Sequence, residues 1–172
     1  SLIPQIAAAA GLLVETLQKG GKVLVCGNGG SAAAAQHLTG ELVGRYKADR
    51  VPLPALALTT DSSVVTCIGN DYAFEDVFAR QVQALARKED LVIGFTTSGR
   101  SPNVLRALAK AEELGATTLA LTGERGLALP VADHVIAVPS SVTARVQEEH
   151  DAIIHAWCEV IDRVFAPSPL AG

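Results

Sequence analysis

The chain has 172 residues, of which 49% are apolar and 19% charged, with a net charge of −4. That length supports one full hydrophobic core rather than two, and the apolar share excludes a disordered or fibrous chain. Lys and Arg are scattered rather than striped, which argues against nucleic acid as a partner. No apolar run reaches the ~20 residues of a membrane span, so no membrane contact is expected. The N-terminus lacks the basic-then-apolar shape of a signal peptide, and Ser1 with no Met anywhere points to a trimmed N-terminal piece. Cys26, Cys67 and Cys158 are odd in number and have no metal-type spacing; they read as reduced, buried thiols of a cytoplasmic protein.

In chain order, residues 3–19 carry helical apolar spacing before Gly20-Gly21. A strand over residues 22–26 runs into the turn Gly27-Asn28-Gly29-Gly30-Ser31, followed by an Ala-rich helical segment to residue 46. Residues 55–58 run into Thr59-Thr60-Asp61 and a helix at about 62–68. Residues 91–95 lead into Thr96-Thr97-Ser98-Gly99-Arg100-Ser101. The helix that follows, to residue 114, is the best marked. Ser101 is its natural N-cap, Pro102 fits the first turn, Gly115 is the stop, and Leu105, Leu108, Ala111 and Leu114 form the buried stripe. Strands at 117–121 and 134–138 and a long helix at 143–165 close the chain, with a frayed tail over 166–172. The strands are continuously apolar, as strands buried on both faces are. Alternation with helices then gives an α/β fold: a doubly wound, five-stranded parallel sheet flanked by helices on both faces.

Two strand ends lead into helices through Gly, Ser and Thr. In an open parallel sheet such ends converge at the carboxyl edge, where a helix N-terminus offers N–H groups and a positive dipole end to an anion. Thr96, Thr97, Ser98 and Ser101 add four hydroxyls and Ser31 a fifth, although helix capping alone also accounts for such residues. A dinucleotide site is a weaker fit. Gly27-x-Gly29-x-x-Ala32 loosely follows the fingerprint, but the acid ending the second strand, Asp61, comes about ten residues too late.

Two pairs of polar residues lie at helical spacing. His37 and Glu41 are four apart after the glycine turn, and Gln147 and His155 are eight apart in the last helix, so each pair shares a helix face. Taken alone, a His–Glu pair at this spacing is most often a surface contact. Together the four are compatible with a metal shell or an acid/base set. His134 and His150 read as solvated or capping histidines.

Read together, Gly27-Asn28-Gly29-Gly30-Ser31, Gln36-His37-x-x-x-Glu41, Thr60-Asp61, Gly69-Asn70-Asp71, Thr96-Thr97-Ser98-Gly99-x-Ser101 and Gln147-Glu148-x-His150-x-x-x-x-His155 resemble the phosphoheptose (sedoheptulose 7-phosphate) isomerases of the sugar isomerase (SIS) family. The resemblance spans about residues 3–165. It implies a flavodoxin-like SIS domain over 1–172, with its core at about 20–165, assembled as a homotetramer with sites at subunit interfaces. It implies phosphate binding by Ser31, Thr96, Ser98 and Ser101, with Thr97, Gly29 and Gly30 beside them and Asn28 and Asp61 lining the sugar. It implies one zinc ion (Zn2+) per site on His37, Glu41, Gln147 and His155, with Gln147 also near substrate. Glu41 and His155 correspond to the catalytic acid/base pair. The implied reaction converts D-sedoheptulose 7-phosphate to D-glycero-D-manno-heptose 7-phosphate through an enediol, the first step toward nucleotide-heptose precursors of lipopolysaccharide.

The chain departs from the family where Ala34 and Ala144 stand at positions that often or sometimes carry Asp, and its N-terminal helical segment is short. Two other readings fit the same fold. One is a non-catalytic adaptor like the DnaA initiator-associating protein, which lacks the counterparts of Glu41 and His155; the other is an isomerase of a different sugar phosphate.

Overall fold

The computed structural model describes residues 1–166. Five parallel strands, β1 (Val23–Gly27), β2 (Ala55–Ala57), β3 (Leu91–Thr96), β4 (Thr117–Thr122) and β5 (His134–Ala137), lie in the order β2-β1-β3-β4-β5. Around them pack helices α1 (Ile3–Gln18), α2 (Gly30–Val43), α3 (Ser62–Asp71), α4 (Ala79–Leu85), α5 (Pro102–Glu113) and α6 (Thr143–Phe165). The five expected strands and the parallel, doubly wound sheet are present. The expected tail lies, from residue 167 on, outside the described residues.

Strand alternation sorts the core into two layers. Val23, Val25, Ile93, Phe95, Leu119 and Leu121 point to the face covered by α1, α2 and α6. Leu24, Cys26, Val92 and Ala120 point to the face covered by α3, α4 and α5. Both faces are apolar because both are covered, which is why these strands read as unbroken runs. On the first face Trp157 is fully buried and its indole N–H donates to the Ile6 carbonyl at 3.1 Å, pinning α6 to α1.

Several expectations change. Helix α4 and the short 3₁₀ turn at Phe74–Asp76 were not foreseen: seven residues make fewer than two turns, too few for a helical period to stand out. Ser101 occupies the N-cap position of α5, but its hydroxyl meets Thr96 Oγ1 at 3.0 Å instead of a helix N–H. Leu114, expected in the buried stripe, is partly exposed because α5 ends at Glu113. Cys67 is exposed on α3, unlike Cys26 and Cys158.

His150 is not solvated. It is 1% exposed, with its ring against Phe95 and Nε2 3.4 Å from the Thr122 carbonyl, while Nδ1 has no hydrogen-bond partner among the described residues. Burial holds this imidazole below the usual histidine pKa.

Candidate active site

The strand order reverses direction between β1 and β3, so the loops leaving these strands flank the crevice where ligands bind in such sheets. A reciprocal amide pair clips the two loops together: Asn28 Nδ2 donates to Asn103 Oδ1 and Asn103 Nδ2 to Asn28 Oδ1, both at 2.8 Å. The clasp engages the side-chain amide of Asn28, one of the residues expected to line the sugar. Asn103 gave no signal in the sequence because its role depends on a contact across 75 positions.

Helix α2 begins at Gly30 with nothing on the face that meets α6. A Cβ there would lie 2.6 Å from the Gln147 Cδ, so the absence of a side chain makes room for the Gln147 amide. At the other end of α2, Arg50 is buried. Its guanidinium donates to the carbonyls of Glu41 (2.6 Å), Leu42 (2.9 Å) and Val51 (3.1 Å) and, through Nε, to Asp162 Oδ1 on α6 at 3.1 Å. Asp162 also accepts the N–H groups of Lys47 and Ala48. Burial pushes its carboxyl upward, but these N–H donors and Arg50 outweigh that and leave it below the usual aspartate range. The two helices are thus held at both ends, with the polar pairs between.

Between those anchors, His37, Glu41 and His155 converge, their ligand atoms all within 4.8 Å of one another. His37 Nε2 lies 3.3 Å from Glu41 Oε1 and 3.2 Å from His155 Nε2. Four residues of spacing on α2 put the first two on one face, and α6 brings His155 across 118 positions. Tyr46 stacks on the His155 ring with centroids 5.3 Å apart, and Asp151 Oδ1 stands 3.5 Å from His37 Nδ1. Neither Tyr46 nor Asp151 was singled out in the sequence. Gln147 lies about two turns before His155 on α6, with its amide facing Gly30 at the start of α2.

This cluster is compatible with a bound metal ion. Ligand bonds of ~2.0–2.1 Å in a tetrahedron put neighbouring donors ~3.3–3.4 Å apart, close to the spacings around His37 Nε2. The donors are two imidazole nitrogens and a carboxylate, the set typical of an open zinc site. Cys158 is buried, and burial first, then the Glu41 and Asp162 carboxylates, push its thiol up to about 12.

The hydroxyl-bearing loops sit at the same sheet edge. Thr97 and Ser98 line a hollow of about 360 Å³ with Arg100, Arg125, Ser140 and Thr143. Gly99 is needed here. Its φ is +67° and a Cβ would run into the backbone carbonyl of Gly126, so the loop closes only around glycine. Ser31 and Thr96 are buried beside the loops, whereas Asp61 is exposed and caps α3, its Oδ1 accepting the Val64 N–H at 3.0 Å.

A sequence model of the SIS domain matches residues 2–123. Phosphoheptose isomerase 1 of Campylobacter jejuni is 56% identical over 162 residues, covering 94% of this chain and 87% of that protein. The chain belongs to the phosphoheptose isomerase family of SIS-domain proteins. Among solved structures, phosphoheptose isomerase GmhA from Neisseria gonorrhoeae superposes with a TM-score of 0.86 at 45% identity, over 94% of this chain and 87% of that one. A phosphoheptose isomerase from Francisella tularensis gives 0.87 at 44% identity, over 93% and 86%. The phosphoheptose isomerase fold therefore extends over nearly all of the chain, including α6, which lies beyond the part matched by the SIS model.

Proposed function

We propose that this chain is a ketose–aldose isomerase that converts D-sedoheptulose 7-phosphate to D-glycero-D-manno-heptose 7-phosphate, and that Glu41 and His155 carry the proton transfers. The observation that carries this reading is the convergence of His37, Glu41 and His155, in a fold whose strand-end loops carry Ser31, Thr96, Thr97, Ser98 and Ser101. Membership of the phosphoheptose isomerase family, at 52–56% identity to several relatives, supports the substrate. The chain keeps both Glu41 and His155, which favours the enzyme over a non-catalytic adaptor.

The reaction moves hydrogen between adjacent carbons. Glu41 takes the proton from C1 of the ketose to give the enediol and returns it at C2, while His155 carries the hydroxyl proton of O1 to O2. With Oε1 turned toward His37, the second oxygen of Glu41 is the one left for the carbon-bound proton. His37, Glu41, His155 and Gln147 would hold zinc, which when bound polarises the carbonyl and stabilises negative charge on the enediolate oxygens. Ser31, Thr96, Thr97, Ser98 and Ser101, with the backbone at Gly29 and Gly30, hold the phosphate end by hydroxyl and N–H donors, as loops at helix N-termini do. Asn28 and Asp61 border the sugar. We further propose a cytoplasmic homotetramer of single SIS domains with sites at subunit interfaces, measurable by light scattering; the exposed apolar residues Leu56, Tyr72 and Phe74 supply surface for such contacts.

The test is turnover of sedoheptulose 7-phosphate against shorter ketose phosphates of five and six carbons. Faster conversion of the heptulose, measured as kcat/KM, is expected. Preference for a shorter sugar would assign the same site to another sugar phosphate, and no turnover of any of them would remove the enzymatic reading.

A further inference from the structure

We propose that Asp151 is a positioning residue that orients His37 for metal binding, an inference that rests on the cation reading of the site. His37 has two ring nitrogens and the structure gives each a different neighbour. Nε2 faces Glu41 and His155 at 3.3 and 3.2 Å, and Nδ1 faces Asp151 Oδ1 at 3.5 Å. That last separation is ~0.5 Å beyond an ideal N–H···O distance, a gap that a small torsion of the half-exposed Asp151 closes.

A neutral imidazole carries one proton, and its position decides which nitrogen can bind a cation. An ionised carboxylate only accepts. Set against Nδ1, Asp151 selects the tautomer with the proton on Nδ1 and leaves the Nε2 lone pair facing the other two donors. Carboxylate partners of metal-binding histidines act in this way and fix the ring plane as well.

The fold explains why the carboxylate comes from α6. On α2 itself, the residue one turn before His37 is Ala34, which is buried in the core between α2 and the sheet and has nothing to offer Nδ1. Asp151 lies one turn before His155 on α6. The same helix therefore delivers a ligand to the cation and a support to the ligand on the facing helix. Closing α2 on α6 assembles both at once, which ties metal affinity to the seating of the two helices.

The test is zinc affinity of the full chain, stripped with a chelator and titrated with zinc chloride against a chromophoric competitor, for wild type, Asp151→Ala and Asp151→Asn. Asp151→Ala is expected to weaken zinc binding about 10–100-fold. Asp151→Asn, whose carbonyl oxygen can still accept from Nδ1–H, is expected to recover part of that loss. Thermal unfolding of the metal-free proteins should not differ, since the Asp151 side chain is half exposed. Wild-type zinc affinity in Asp151→Ala would overturn the inference while leaving the metal site standing. Loss of metal-free stability in parallel with affinity would also overturn it, by showing a merely structural role. A wild type that binds no zinc would overturn the metal site and this inference together.

Discussion

Gln147 lies where a side chain at Gly30 would be: the amide of one helix fills the space that the first residue of its neighbour leaves open. This contact and the Arg50–Asp162 pair mark the two ends of the α2–α6 seam, and His37, Glu41 and His155 sit between them.

Gly30→Ala therefore separates function from stability. The added methyl meets the mobile end of Gln147 rather than backbone, and alanine is intrinsically the better helix former by up to about 1 kcal/mol. Global stability is expected to stay within about 1 kcal/mol of wild type by chemical denaturation. Zinc affinity should fall to the level of Gln147→Ala, and the double variant should be no worse than Gln147→Ala alone, the non-additivity of two changes acting on one contact.

Removing one partner of the buried Arg50–Asp162 pair leaves the other charge unpaired, which costs about 3–5 kcal/mol. Arg50→Met also strands the carbonyls of Glu41, Leu42 and Val51. The pH dependence follows from the lowered carboxyl of Asp162. A depressed folded-state pKa contributes stability above the unfolded value, ~3.9, and loses it as pH falls through the folded value. The stability gap between wild type and Asp162→Asn is expected to hold at neutral pH and to narrow below about pH 4, measured by urea denaturation across that range.

His150 gives a second, separate pH arm. Its pKa is lowered by burial, so the unfolded chain takes up a proton at ~6.5 while the folded chain still refuses it. Stability should decline as pH drops below about 6.5, by up to about 1.4 kcal/mol per pH unit for one proton. His150→Gln, which does not titrate, should flatten that part of the stability profile.

The fold was readable because the strands β1 and β3 are apolar throughout and the glycine and proline signals around α5 are unambiguous. Helix α4 and the burial of His150 were not, since the first is too short for a period and the second is decided by Phe95 and Thr122 on other elements. Within the candidate site, His37 and Glu41 announce themselves by spacing along one helix. Their link to His155 was not readable from spacing, and neither were the supports Tyr46, Asp151, Asn103 and Arg50. Each of these acts through a contact between segments that only the closed α2–α6 seam or the Asn28–Asn103 clasp brings together.

The central claim is that Glu41 moves the carbon-bound proton, and the most direct measurement is kcat for sedoheptulose 7-phosphate in Glu41→Gln beside wild type, with bound metal quantified in both. The account predicts a loss of about 10²–10⁴-fold in kcat per metal-loaded site, the range for removing a general base. Wild-type kcat in Glu41→Gln would contradict it.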